Sequence, residues 1–356
     1  MELNKYFDIK IKSSIIHTVE FNQQDADTCY VMDFDVNAKY IVAAGSNNLI
    51  KVYDRTNHSI VSILKGHTDT IQQVRFFEDT DTVLSCSSDR SFRIWNIKDQ
   101  SFKSLNQKGE VFSFDVSKHN NTTLVVMAVG SGIAIWDLSS NKLVKSYESS
   151  HTEDVTRVKF HPLDKSKVVS CSVDGLICVH DLNAVEEDDE ILYVLNAEDS
   201  IGNFGFFGND AKYIYTLSHT ERLTTWDLST GAKLKHYGDL RTILTEKYQH
   251  DVNYFVSCDF EPSTQSLILY AGDYNGGFFI YTVTADDVVE LSKPQSQHTD
   301  IIRNVYWDRN NNEIITSSED SKICIWINNS VTKESTSPST SSKMKDDKPR
   351  KSPYSK

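Results

Sequence analysis

An all-β ring of seven four-stranded blades, a β-propeller, is the fold that this 356-residue sequence predicts. Three observations predict it. A ring-bearing residue recurs at Tyr53, Trp95, Trp136, His180, Trp226, Tyr281 and Trp326, with gaps of 42, 41, 44, 46, 55 and 45 residues. Alternating, β-branched or aromatic runs bounded by turn residues precede each ring, as in YIVAAGSNNLIKVYD and TLVVMAVGSGIAIWD. Such period-2 runs mark half-buried strands. No stretch carries sustained helical periodicity, so the units are expected to hold strands and no helix. A multi-position pattern recurring at forty-odd residues is the mark of a repeat whose units stack into a ring.

The units differ in completeness. The first ends at Tyr53 and has Asn47 in its turn. The second carries His67, Ser85, Asp89 and Trp95. The third ends in Trp136-Asp137 but has Gly130 at its turn. The fourth repeats the full set as His151, Ser170, Asp174 and His180. The fifth ends in Trp226-Asp227 with Thr220 at its turn, and the sixth has His250, Asn275 and Tyr281. The seventh is again full, with His298, Thr316, Asp320 and Trp326. Six units continue past the ring into a further β-like run, for example SIVSILK, KLVKSYE and ILYVLN. The seventh does not, whereas the chain start carries a spare run, FDIKIKSSI. Residues 8–16 are therefore expected to supply the outer strand of the last blade, which removes a broken edge. The propeller is expected to occupy 1–329.

Residues 330–356 are expected to be a disordered tail: eight of these 27 are Ser and seven are Lys or Arg, against three Asp or Glu. Such a segment cannot bury enough apolar surface to offset its ordering entropy. The acidic run 186–190 and the segment 239–249 are expected as loops beside outer strands.

Composition bounds the function. With 39% apolar and 24% charged residues the chain reads as globular. Its longest apolar run, 124–129, is far too short for a membrane span. The start, MELNKYFDIKIKSS, does not read as a secretory signal. Six cysteines without a CxxC favour a reducing, intracellular setting, cytoplasm or nucleus. Cys171 and Cys178 are placed to face each other across the hairpin at Asp174. The net charge is −13 overall, and the tail's surplus of four positive charges leaves −17 for residues 1–329. A body that acidic disfavours direct nucleic-acid binding.

The units resemble WD40 repeats, whose signature is Gly-His, about two dozen residues, then Trp-Asp. Gly66-His67 with Trp95-Asn96, and the endings Trp136-Asp137 and Trp226-Asp227, carry the resemblance, which covers residues 8–328. It implies that in the three full units the ring N–H meets the Ser or Thr hydroxyl, the hydroxyl meets His, and His meets the turn Asp. Ser, His and Asp also make catalytic triads. Three equivalent copies argue for scaffold instead, since catalysis needs one constellation with its own pocket and oxyanion hole. No GxSxG, HExxH or phosphate-cradling glycine loop is present, and no catalytic residue, metal or cofactor is expected.

The resemblance also implies partner-facing positions three and five residues after the Gly-His histidine and immediately before the turn Asp. These are Tyr30, Gln72, Phe112, Thr156, Tyr254, Tyr274, Arg303 and Glu319. The expected function is a non-catalytic scaffold that binds other proteins or peptides on a propeller face, as a monomeric propeller within a complex. The alternative is a nuclear RNA- or chromatin-associated subunit that uses the basic tail.

Overall fold

The structure, a computed structural model, describes residues 13–21, 29–78, 80–119, 122–148, 150–184 and 190–328. They build seven four-stranded sheets, every neighbouring pair antiparallel. In six sheets the strands run outward in chain order. The first blade, for example, is Val31–Val36, Tyr40–Gly45, Leu49–Asp54 and Ile60–Lys65. The innermost strands of the other blades are Ile71–Phe76, Val111–His119, Val155–Phe160, Ile201–Phe207, Tyr254–Glu261 and Ile302–Asp308. Second strands are the most apolar because they are covered on both faces: all seven residues of Ser266–Gly272 are buried. Outer strands such as Lys142–Tyr147 face solvent and read as mixed.

The apolar residues gather into seven clusters, one at each junction between neighbouring blades. At the first junction Val42, Ala44 and Val52 meet Ile71, Val74 and Trp95 of the next blade. Burial of this kind contributes about 25 cal/mol per Å² of apolar surface.

The ring is closed by the N-terminal segment, as the sequence leads one to expect. The outer strand of the seventh blade is Ser13–Glu20, paired with Lys322–Asn328 from Ser13 opposite Asn328 to Glu20 opposite Lys322. It takes in 13–16 of the expected 8–16 and continues to Glu20; residues 8–12 lie outside the described residues. Phe21 accounts for the register. Its ring is fully buried between the last and first blades. Its N–H donates to the Ser321 carbonyl at 2.8 Å, and Lys51 Nζ donates to its carbonyl at 2.5 Å. Gly45 makes room for it, since a Cβ there would come within 2.5 Å of the ring.

Two expectations are corrected. The segment 239–249 holds a helix, α1 (Leu240–Tyr248). Asp239 caps it by accepting the Thr242 N–H and hydroxyl, Leu240 and Leu244 bury one face at i,i+4 spacing, and Gln249 ends it in a left-handed conformation. Cys171 and Cys178 are not opposed. Cys171 pairs with Ile177 and Cys178 with Ser170, and neighbouring strand positions point to opposite faces. Residues 186–189 and the tail 330–356 lie outside the described residues. Among the described residues, no helix is long and apolar enough to cross a membrane, and no group of three His, Cys, Asp or Glu is placed to hold a metal.

Candidate partner-binding face

The three full units each form one continuous chain of hydrogen bonds. Trp95 Nε1 donates to Ser85 Oγ at 2.8 Å, Ser85 meets His67 Nε2 at 2.7 Å, and His67 Nδ1 meets Asp89 at 2.7 Å. An indole N–H can only donate, so the Ser85 hydroxyl gives its own proton to His67 Nε2, leaving Nδ1–H for the carboxylate. The seventh blade repeats this through Trp326, Thr316, His298 and Asp320 at 2.9, 2.8 and 3.1 Å. In the fourth, His180 Nε2 lies 3.0 Å from Ser170 Oγ, Ser170 lies 2.8 Å from His151 Nε2, and His151 Nδ1 lies 3.2 Å from Asp174. Burial, the largest influence, holds His67 and His151 below the ordinary imidazole pKa against the pull of their aspartates. It drives His180 down to about 4. Ser85, Ser170 and Thr316 are fully buried, and each hydroxyl is engaged on both sides, so none is presented to a substrate.

These chains fix where the loops of one rim stand. His and Asp tie the entry of each innermost strand to the turn after the second strand. The same rim is marked in all seven blades by a β-bulge at the second or third residue of the innermost strand. The register shifts between Val31/Asp33, Ile71/Gln73, Val111/Ser113, Val155/Arg157, Ile201/Asn203, Phe255/Ser257 and Ile302/Asn304. A bulge re-aims the extra side chain. Here the extra residues are Met32, Gln72, Phe112, Thr156, Gly202, Val256 and Arg303. Backbone bonds close the rim beside them, among them Ser46 N to Tyr30 O at 2.9 Å, Ser88 N to Thr70 O at 2.9 Å and Glu319 N to Ile301 O at 2.9 Å.

The structure places the candidate partner-facing residues unevenly. Tyr30 is 47% exposed and Tyr274 is 59% exposed. Tyr254 is buried: its ring stacks on Tyr274 at 6.1 Å, and its hydroxyl accepts the Ile302 N–H of the next blade at 2.6 Å. Arg303 forms an ion pair with Glu319 through one guanidinium nitrogen, and its side chain remains 44% exposed. Gln72 donates to Ser88 Oγ at 3.0 Å. Phe112 packs against the apolar cluster between blades three and four. Thr156 donates to the Ile201 carbonyl at 2.7 Å and ties blades four and five. What faces solvent is therefore a crescent over blades six, seven and one: Tyr274 on Tyr254, the Arg303–Glu319 pair, then Tyr30. Sequence reading passed over Val173, 40% exposed on the same rim. The rule that selected Glu319, the position before the turn Asp, selects Val173 as well. The segment 239–249, singled out in the sequence as a loop, supplies α1, whose Arg241 and Thr245 line a cleft of about 410 Å³ with Tyr274.

The sequence profile of the family described as WD domain, G-beta repeat matches residues 58–96, 141–181 and 290–326, the three units whose hydrogen-bond chains are complete. A WD repeat-containing protein 89 homolog of Dictyostelium discoideum is 50% identical over all of this chain and 99% of its own length. The WD repeat-containing protein GTS1 of Arabidopsis thaliana is 29% identical over 80% of this chain and 77% of its own. A serine-threonine kinase receptor-associated protein of D. discoideum is 30% identical over 44% of this chain and 52% of its own. With its seven blades, three complete hydrogen-bond chains and a full-length relative at that identity, the chain belongs to the WD40-repeat propeller family, in the WD repeat-containing protein 89 group.

Proposed function

We propose that the protein is a non-catalytic scaffold that holds a partner protein or peptide on the crescent formed by blades six, seven and one. One observation carries this reading: two tyrosines, 59% and 47% exposed, flank a paired Arg303–Glu319 on the rim that the seven bulges define. Tyrosine offers large apolar area with a polar tip and loses little conformational freedom on binding, and Tyr and Arg are enriched among residues that dominate interface energy. The rim is held by four-stranded antiparallel sheets packed against one another through an apolar cluster at each junction. The seat suits a segment that lays an apolar or aromatic side chain on each tyrosine. Between them it bonds the Arg303–Glu319 pair with both a donor and an acceptor. A name that says receptor-associated, in one relative, agrees with a protein-binding role. The protein acts as a monomeric propeller within a complex.

The test is affinity capture with the full chain, comparing the parent with the Tyr30→Ala/Tyr274→Ala double variant by quantitative mass spectrometry. Both side chains are exposed, so folding should stay near parental by circular dichroism. Loss of the principal partner is the expected result. Retention of every partner by a folded double variant contradicts the reading.

A further inference from the structure

The innermost strands line a channel of about 480 Å³ that runs from Arg303 and Gln72 at the crescent rim to Glu78 and Lys118 at the other. Its charged side chains are divided in a way the fold does not require. On the walls of blades seven, one, two and three, acidic and amide groups are consumed by the chain itself. Asp33 accepts the Val74 N–H at 2.8 Å, Arg75 at 2.9 Å and the Asn304 amide. Asp35 accepts the Phe76 N–H at 2.8 Å, and Gln73 accepts the Phe114 N–H at 2.9 Å. Asp115 accepts the Val116 and Phe160 N–H groups, both at 2.9 Å, one on each oxygen. These bonds stitch neighbouring blades together.

The wall of blades four, five and six is different. Arg157 gives one bond, to the Thr156 carbonyl at 3.2 Å, and the rest of its five-donor fork makes no hydrogen bond or ion pair among the described residues. Lys159, two residues deeper on the same strand, has a ring contact with Phe204 at 5.5 Å but neither hydrogen bond nor ion pair among the described residues. Asn203 and Ser257, level with Arg157 on the next two blades, likewise make no side-chain bond there, and all four line the channel. Asp115 and Asp259 flank Lys159. Asp115 has both oxygens engaged, and Asp259 accepts the Tyr270 hydroxyl at 3.3 Å. One half of the channel thus has its acceptors filled, while the other holds two cations and two polar groups with donors to spare, beside a single carboxyl, Asp259, whose pKa burial raises. Partly buried donors that lack acceptors are costly unless water or a ligand answers them, and a guanidinium beside an ammonium is suited to oxygens that carry charge.

We propose that Arg157, Lys159, Asn203 and Ser257 form an oxyanion site in the channel, which takes one carboxylate or phosphate group entering from the crescent rim. Arg157 meets two oxygens through its fork, Asn203 and Ser257 donate from the sides, and Lys159 supplies charge from below. The acidic body repels extended polyanions, so the ligand is a single compact group: the end of a partner's acidic side chain or a small phosphorylated molecule.

Titration calorimetry and thermal melting of the full chain with inorganic phosphate, pyrophosphate and glutarate test this, with sodium chloride at matched ionic strength as the reference. Saturable binding and a raised melting temperature with at least one of the three are expected. Stronger binding of a phosphate identifies a phosphorylated small molecule, and stronger binding of glutarate identifies a partner's carboxylate. Arg157→Met should weaken binding at least about tenfold. Ser257→Ala should weaken it less, and Lys98→Gln, at an exposed lysine outside the channel and the crescent, should leave it unchanged. Should Arg157→Met fail to fold, Asn203→Leu with Ser257→Ala serves in its place. No response beyond that of chloride, or the same affinity in these variants as in the parent, overturns the site and leaves a water-filled channel.

Discussion

Trp136 and Trp95 occupy the same place in neighbouring blades, yet one indole N–H is satisfied and the other is not. Trp95 lies opposite Val83 and Trp136 opposite Val125, so Met127 stands where the second blade has Ser85. The buried Trp136 Nε1 accordingly has no acceptor. Trp95→Phe should therefore cost about 1 kcal/mol more than Trp136→Phe in urea unfolding, because both lose similar volume and only the first loses a hydrogen bond. Equal costs would contradict this. His67→Ala and Asp89→Ala should each cost roughly 1–3 kcal/mol, and together less than their sum, since they share one chain of bonds. Strict additivity in the cycle would argue against that chain. His180 gives a pH signature. It is neutral in the fold down to about 4, against an ordinary value of 6.5. Its contribution is fully present above pH 6.5 and is lost as pH falls from there through about 4, because only the unfolded chain takes up the proton. The loss is on the order of 3 kcal/mol. His180→Phe should flatten the stability–pH curve over that window, whatever its offset. An unchanged slope would show that His180 is not held neutral.

At the scale of elements, legibility followed local pattern. The His, Ser or Thr, Asp and ring positions of the second, fourth and seventh units were readable because their spacing is fixed by two turns. The helix α1 was not, because nine residues with Leu240 and Leu244 as their buried face give too short a periodic signal. The Asp239 cap was the available clue, and Asp239→Ala should lower protection of the 240–248 amides in hydrogen exchange while leaving the blades unchanged. The closing strand was legible but its register was not: FDIKIKSSIIHTVEF alternates only in part, with Ile15-Ile16 breaking the pattern, and the contacts of Phe21 with Ser321 and Lys51 fix the register. Removing residues 1–21 should expose the edge of Lys322–Asn328, lowering the melting temperature and promoting association. Removing 330–356 should change the melting temperature little. A truncated 22–356 chain that stays monomeric and melts like the parent would contradict closure by this strand.

For the whole molecule, the ring was legible from repeat count alone, whereas the working part of its face was not. Tyr254 and Tyr274 are the same residue type on one blade, and which is exposed depends on the Ile302 N–H of the neighbouring blade, a contact no local pattern records. Arg303 likewise looked free in sequence and is paired across its hairpin with Glu319. The proposed partner seat lies over blades six, seven and one of the ring. Hydrogen-exchange mass spectrometry of the captured complex against the free chain tests it most directly. New protection is expected around Tyr30, the 273–276 turn and Arg303, with none at the opposite rim, where 97–99 and 138–141 form turns. Protection confined to that opposite rim would contradict it.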